Sequence, residues 1–126
     1  MYFMVNGTNK KSSNCANFNI NASIINVNWK PDPLGYDGQK MKFTVNLTLD
    51  EPTTFYTKIM FSFNDDKGRV IGYTLLPLEE NATSILDTFH AIIPRNIPRK
   101  YTVTVAVETL GVFSHCINFY RNSRTG

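Results

Sequence analysis

Apolar and polar side chains alternate along much of this chain. The pattern is plainest in Met41-Lys42-Phe43-Thr44-Val45-Asn46-Leu47-Thr48-Leu49, where odd positions are apolar and even positions polar. A period of two sends successive side chains to opposite faces of a strand, so this segment predicts a strand with one face in a core and the other in water. Residues 55 to 63 repeat the pattern, with Phe55, Ile59, Phe61 and Phe63 on one face and Lys58 and Ser62 on the other. Asn64-Asp65-Asp66-Lys67-Gly68 then predicts a turn, because Asn, Asp and Gly tolerate positive φ. Residues 69 to 76 return as a strand with Ile71, Tyr73 and Leu75 facing inward. A loop over 77–83 leads to a strand over 84–93, and Pro94 and Pro98 bracket a stiff connection that cannot join a central ladder. The alternation resumes from Tyr101 through Val103 and Val105 to Val107, and Gly111 predicts a tight turn into a last strand over 112–119.

With residues 18–29 as the first strand, the pattern predicts seven strands. No stretch carries a helical period. Short strands separated by turn residues point to an all-β, immunoglobulin-like two-sheet sandwich. The inward-facing positions are Phe43, Val45, Leu47, Ile59, Phe61, Phe63, Ile71, Tyr73, Leu75, Phe89, Ile93, Tyr101, Val103, Val105 and Phe119. Read from the alternation alone they are a packed core, since interiors fill to crystal-like density.

Composition agrees with one globular domain. The chain has 126 residues, 42% hydrophobic and 18% charged, which does not fit a disordered segment. The expected division is a flexible start over 1–14, the sandwich over 15–120 and a flexible tail over 121–126. A net charge of +3 without a basic run does not fit a nucleic-acid binder and suits an anionic membrane surface at least as well. Met1-Tyr2-Phe3-Met4-Val5 is too short for the apolar region of a signal peptide, so either the protein is cytosolic or a signal has been removed.

Two features separate those alternatives. Cys15 and Cys116 lie near opposite ends of the chain. They are either two buried thiols or a bridge, and a bridge closing so long a loop would stabilise by roughly 4–5 kcal/mol on the chain-entropy model. The sequons at Asn6, Asn21, Asn46 and Asn81 are the second feature, and Asn46 falls on the polar face of its strand, where a glycan can project. Together they favour the secretory pathway.

Catalytic chemistry has little support. His90 and His115 are not in a metal-binding spacing, and Asp65-Asp66 reads as a solvated acidic pair in a turn. No phosphate-cradling glycine loop is present. The expectation is a non-enzymatic protein without metal or cofactor.

Three segments carry a resemblance. Trp29-Lys30-Pro31-Asp32-Pro33-Leu34-Gly35-Tyr36-Asp37-Gly38-Gln39, leading into the strand that ends at Leu49-Asp50, is one. Ile93-Pro94-Arg95-Asn96-Ile97-Pro98-Arg99-Lys100-Tyr101-Thr102-Val103 is the second, and Cys116 in a terminal strand is the third. In this order they resemble the ML lipid-recognition superfamily, which includes fungal phosphatidylglycerol/phosphatidylinositol transfer proteins, the Niemann-Pick type C cholesterol carrier and mite group 2 allergens. The likeness runs over about residues 15 to 120.

The resemblance implies a sandwich whose sheets part to hold a sterol, phospholipid or fatty acyl chain. The inward positions named above would then line a lipid space of roughly 300–1,000 Å³. It also implies a Cys15–Cys116 bridge. The chain departs from the family pattern at Leu76-Pro77-Leu78-Glu79-Glu80-Asn81-Ala82, where the family's usual second cysteine pair is missing. The expected function is lipid carriage by a secreted or lumenal monomer, with Arg95, Arg99 and Lys100 meeting anionic headgroups. The competing expectation is a secreted interaction module with a packed core whose loops bind a protein.

Overall fold

The computed structural model describes residues 12–13, 26–30 and 38–122, apart from the side chains of residues 12, 13, 26 and 122. Its strands are β1 (Ser12–Ser13), β2 (Asn26–Lys30), β3 (Lys40–Thr48), β4 (Thr57–Asp65), β5 (Val70–Pro77), β6 (Ser84–Ile92), β7 (Lys100–Thr109) and β8 (Val112–Asn122). There is no helix among the described residues. All pairings are antiparallel. They build a five-stranded sheet in the order β1-β8-β7-β4-β5 and a three-stranded sheet in the order β2-β3-β6. The fold is a β-sandwich, β1 being a two-residue addition at one edge.

The alternation that predicted β3 appears as a strict exposed–buried repeat along Lys40–Thr48. Met41, Phe43, Val45 and Leu47 face the opposite sheet, where Ile59, Phe61 and Phe63 of β4 and Val103, Val105 and Val107 of β7 meet them. Burying each such side chain stabilises the fold by roughly 1.5–3 kcal/mol. β4 and β7 are central strands of the larger sheet and supply most of its inner face.

The turns follow from backbone chemistry. Leu110 (φ 53°) and Gly111 (φ 83°) join β7 to β8 as a two-residue hairpin with both central residues at positive φ. Between β4 and β5, Asp65 Oδ1 accepts the Lys67 and Arg69 amides at 2.9 and 2.8 Å, and Gly68 takes φ 84°. The Arg69 Nε also donates to Asp65 Oδ2 at 2.8 Å. These hydrogen bonds, the Arg69 amide first, hold the Asp65 carboxyl below its usual range.

Several expectations change. Residues 18–25 of the predicted first strand lie outside the described residues, and the described strand is Asn26–Lys30. The ordered sandwich also extends past its predicted limits, to Ser12–Ser13 and to Asn122. β4 begins at Thr57, so Phe55 sits in the preceding loop and is 69% exposed. The largest correction is the phase of β5. Phe63 pairs with Gly72 but Asn64 pairs with Val70, leaving Ile71 as the extra residue of a bulge. Gly72, Thr74 and Leu76 therefore share the inner face with Phe63, Phe61 and Ile59. Tyr73 and Leu75 face outward, opposite Ser62 and Met60, and are 64% and 38% exposed.

Candidate functional site

The interior and its open edge are best followed along the aromatic rings. Trp29 packs edge-on against Phe119, with centroids 4.0 Å apart, and at 5.8 Å against Phe43. Phe43 meets Phe61 at 4.4 Å, and Phe61 meets Phe89 at 5.8 Å. The file runs through the sandwich from β8 to β6. At one end the Arg121 guanidinium lies 5.3 Å from the Trp29 ring centre, a cation–π contact. At the other end Phe89 is half-buried at an edge strand.

Of the inward positions predicted, Phe43, Val45, Leu47, Ile59, Phe61, Phe63, Ile93, Tyr101, Val103, Val105 and Phe119 are buried together in one core. Phe89 packs against that core from its half-buried position, and Ile71 is half-buried at the bulge. Tyr73 and Leu75 are not part of it. Phe43, Val45, Ile59, Phe61, Phe63, Val105 and Phe119 have no accessible surface, so no water-sized void touches them. The space between these residues is filled by side chains, not held open.

The openness lies along one seam. β5 and β6 are the edges of their sheets and run close to each other. Leu76 and Phe89 on these strands, with Leu49, Leu78 and Ile97 from flanking loops, are half-buried apolar side chains against the core. Asp87 is the informative residue. Its register partner is Val45, which places it on the inner-facing side of β6 between Ile85 and Phe89, yet it is exposed. An inward-side carboxylate on an edge strand stays solvated when the sandwich is open there, and it also blocks edge-to-edge pairing.

The seam is fastened at both ends. At one end Gly72 of β5 faces Pro94, and a Cβ at residue 72 would lie 2.9 Å from Pro94 Cγ. At the other end Thr53 ties the β3–β4 loop to the β5–β6 loop. Its amide donates to Ala82 O, its carbonyl accepts from the Asn81 amide and its hydroxyl accepts from the Ala82 amide, at 2.9, 2.9 and 2.8 Å. The Thr53 hydroxyl also donates to the Glu79 carbonyl. These bonds clamp residues 79–82 of the β5–β6 loop. Sequence reasoning missed Thr53 and Asp87, although a polar residue breaking the phase at Asp87 was visible between Ile85 and Phe89.

Register also sorts the charges. Asp65 pairs with Tyr101, Tyr101 with Arg121, and Lys40 with Ile92, so the β4–β5 turn, the β6–β7 loop and the start of β3 share one end. Lys40, Lys67, Arg69, Arg95, Arg99, Lys100 and Arg121 gather there and outnumber Asp65 and Asp66 of the β4–β5 turn. Asp50, Glu51, Glu79, Glu80 and Glu108 lie at the opposite end. Arg95, Arg99 and Lys100, the predicted membrane contacts, are exposed.

Buried at the acidic end is His115, whose ring nitrogen Nδ1 lies 3.0 Å from Ser114 Oγ. Burial lowers its pKa from the ordinary 6.5, against a smaller upward pull from Asp50. Cys116 is disulfide-bonded, and Cys15 lies outside the described residues. Asn46 is exposed on the outer face of β3, and Asn81 is exposed with φ 61°. Asn6 and Asn21 are outside the described residues. Among the described residues no three His, Cys, Asp or Glu side chains converge as a metal site requires, and no helix is long and apolar enough to cross a membrane.

No protein-family model and no curated protein matches the chain.

Proposed function

We propose that this protein carries an apolar lipid chain between its sheets, admitted along the β5–β6 seam, and docks transiently on anionic membranes through its basic end. The single observation that carries this reading is the solvated Asp87 beside half-buried Phe89 and Leu76. It marks a place where two sheet edges meet without sealing. A lipid entering there would part the sheets at their weakest join and repack against Phe61 and Phe89, regaining the contacts that parting gives up. The disulfide-bonded Cys116 and the exposed sequons at Asn46 and Asn81 support a secretory or lumenal setting. A Cys15–Cys116 bridge would fasten the chain start to β8. Neither metal nor cofactor is required.

Organic extraction of protein purified from a secretory host tests the reading. It should release about one sterol, phospholipid or fatty acid per chain. Phe89→Arg should abolish that cargo without changing the circular dichroism spectrum. The filled interior favours the second reading, a packed module that binds a protein through its loops. Lipid-free extracts, together with no binding of fluorescent sterol, phospholipid or fatty acid, would decide for it.

A further inference from the structure

The outer face of the larger sheet, turned away from the space between the sheets, carries a cleft of about 630 Å³. Its floor is a grid fixed by register. One row runs Tyr73–Ser62–Thr104–Asn118 across β5, β4, β7 and β8, and the next runs Val70–Asn64–Thr102–Tyr120. Polar side chains therefore occupy both central strands, with a tyrosine on each flanking strand. Met60 and Phe113 close one end and the Asp65–Gly68 turn the other.

The floor is preorganised. Ser62 Oγ donates to Asn64 Oδ1 at 2.8 Å, and Asn64 Nδ2 donates to Thr104 Oγ1 at 3.1 Å and to Thr102 Oγ1 at 3.3 Å. Thr104 Oγ1 donates to Asn118 Oδ1 at 2.6 Å. Ser62, Asn64, Thr104 and Asn118 are buried although they lie on an outward face. The Thr102 hydroxyl accepts from Asn64 and keeps its own proton to donate. Tyr73 and Tyr120 stand exposed above the floor.

This chemistry selects a ligand. Asp65 is engaged by Arg69, which leaves Asp66 and Lys67 as opposite charges at the rim and no surplus for an anion. A purely apolar ligand would leave the Thr102 hydroxyl donor unpaired beneath it, at roughly 1–3 kcal/mol. Flat aromatic faces flanking a neutral hydroxyl–amide floor suit a molecule with both C–H faces and hydroxyl edges. We infer that this cleft binds a neutral oligosaccharide, lying across the strands between Tyr73 and Tyr120. The flanking strands are three inter-strand spacings apart, roughly 14 Å, so the ligand is an oligomer spanning several sugar rings. The inference does not depend on the lipid reading, because cleft and seam lie on opposite sides of the larger sheet.

The test is a titration of isotope-labelled protein, followed by amide NMR shifts, with chitohexaose, cellohexaose, laminarihexaose and mannohexaose. At least one should move the Ser62, Thr102, Thr104 and Asn118 amides in a saturable manner. Tyr73→Ala and Tyr120→Ala, both at exposed positions that leave the fold intact, should each weaken binding about ten-fold or more. Thr102→Val should weaken it too. No shift with any of the four sugars at roughly 10 mM overturns the proposal. So do shifts confined to other surfaces, affinities unchanged in both tyrosine variants, or the same amides responding to anionic vesicles and not to sugar.

Discussion

Thr53 holds two loops with one hydroxyl and its own backbone groups. Thr53→Val preserves the shape of the side chain but leaves the Glu79 carbonyl and the Ala82 amide without that partner in a site that is 3% exposed. A loss of about 1–3 kcal/mol is expected, read from the denaturation midpoint, while Thr53→Ser should retain most of the stability. An undiminished Thr53→Val would mean that the loops close on other contacts. Gly72 makes a comparable prediction at the other end of the seam. Gly72→Ala drives a methyl group into Pro94 and should cost about 1–3 kcal/mol. Adding Pro94→Ala should recover part of that cost, because residues in contact do not act additively. Equal destabilisation with and without Pro94 would place the strain elsewhere. His115 gives the pH dependence. Its folded pKa lies below the ordinary 6.5, so in the window between the two values the unfolded chain binds more protons than the native one. Stability is full above that ordinary value and falls as the pH drops towards the folded pKa. His115→Gln should flatten this slope in denaturation measured between about pH 7.5 and 5.5. A slope unchanged by the substitution would assign it to other groups.

β3 was legible because its sequence pattern and its environment share one period: one face meets core, the other meets solvent. β4 and β7 were legible for the same reason on their inner faces, where Ile59, Phe61, Phe63, Val103 and Val105 fall as the alternation predicts. β5 was not. Ile71, Tyr73 and Leu75 form an apolar alternation, but an aromatic ring flanking a polar floor on the outer face has the same hydropathy as one in a core. The bulge between Phe63 and Asn64 shifts the register by one residue, and nothing in residues 69–76 announces it. The opposite face, Gly72-x-Thr74-x-Leu76, suits an edge where Pro94 must come close. The candidate seam was half legible: Phe89 was visible as an inward position and Asp87 as a break in the alternation, whereas Thr53 acts through Glu79, Asn81 and Ala82, far away in sequence. Tyr73→Thr tests the phase directly. At an exposed position it should change stability by less than about 0.5 kcal/mol. A loss of several kcal/mol, as for a truncated core aromatic, would return Tyr73 to the interior.

At the scale of the molecule, the order of the strands turns a mild net charge of +3 into a strong polarity. Arg95, Arg99 and Lys100 are joined at one end by Lys40, Lys67, Arg69 and Arg121 against Asp65 and Asp66, while Asp50, Glu51, Glu79 and Glu80 occupy the other with Lys58. A sphere of the same net charge would approach an anionic bilayer without preferred orientation. This molecule would arrive basic end first, with its long axis raised and the β5–β6 seam running away from the surface. Each Lys or Arg near such a membrane contributes on the order of 1 kcal/mol, decaying over a Debye length of about 8 Å at physiological salt. Several together would hold the protein briefly without anchoring it, which would suit the proposed carrier. Co-sedimentation with phosphatidylserine-containing vesicles should therefore be strong at low salt and fall steeply as salt rises. Changing Arg95, Arg99 and Lys100 to Gln should remove most of that salt dependence. Changing Glu79 and Glu80 to Gln, at the far end, should leave it almost unaltered despite an equivalent step in net charge per substitution. If the Glu79 and Glu80 changes strengthened binding as much, charge for charge, as the Arg95, Arg99 and Lys100 changes weakened it, net charge would govern the attraction and the basic end would have no orienting role.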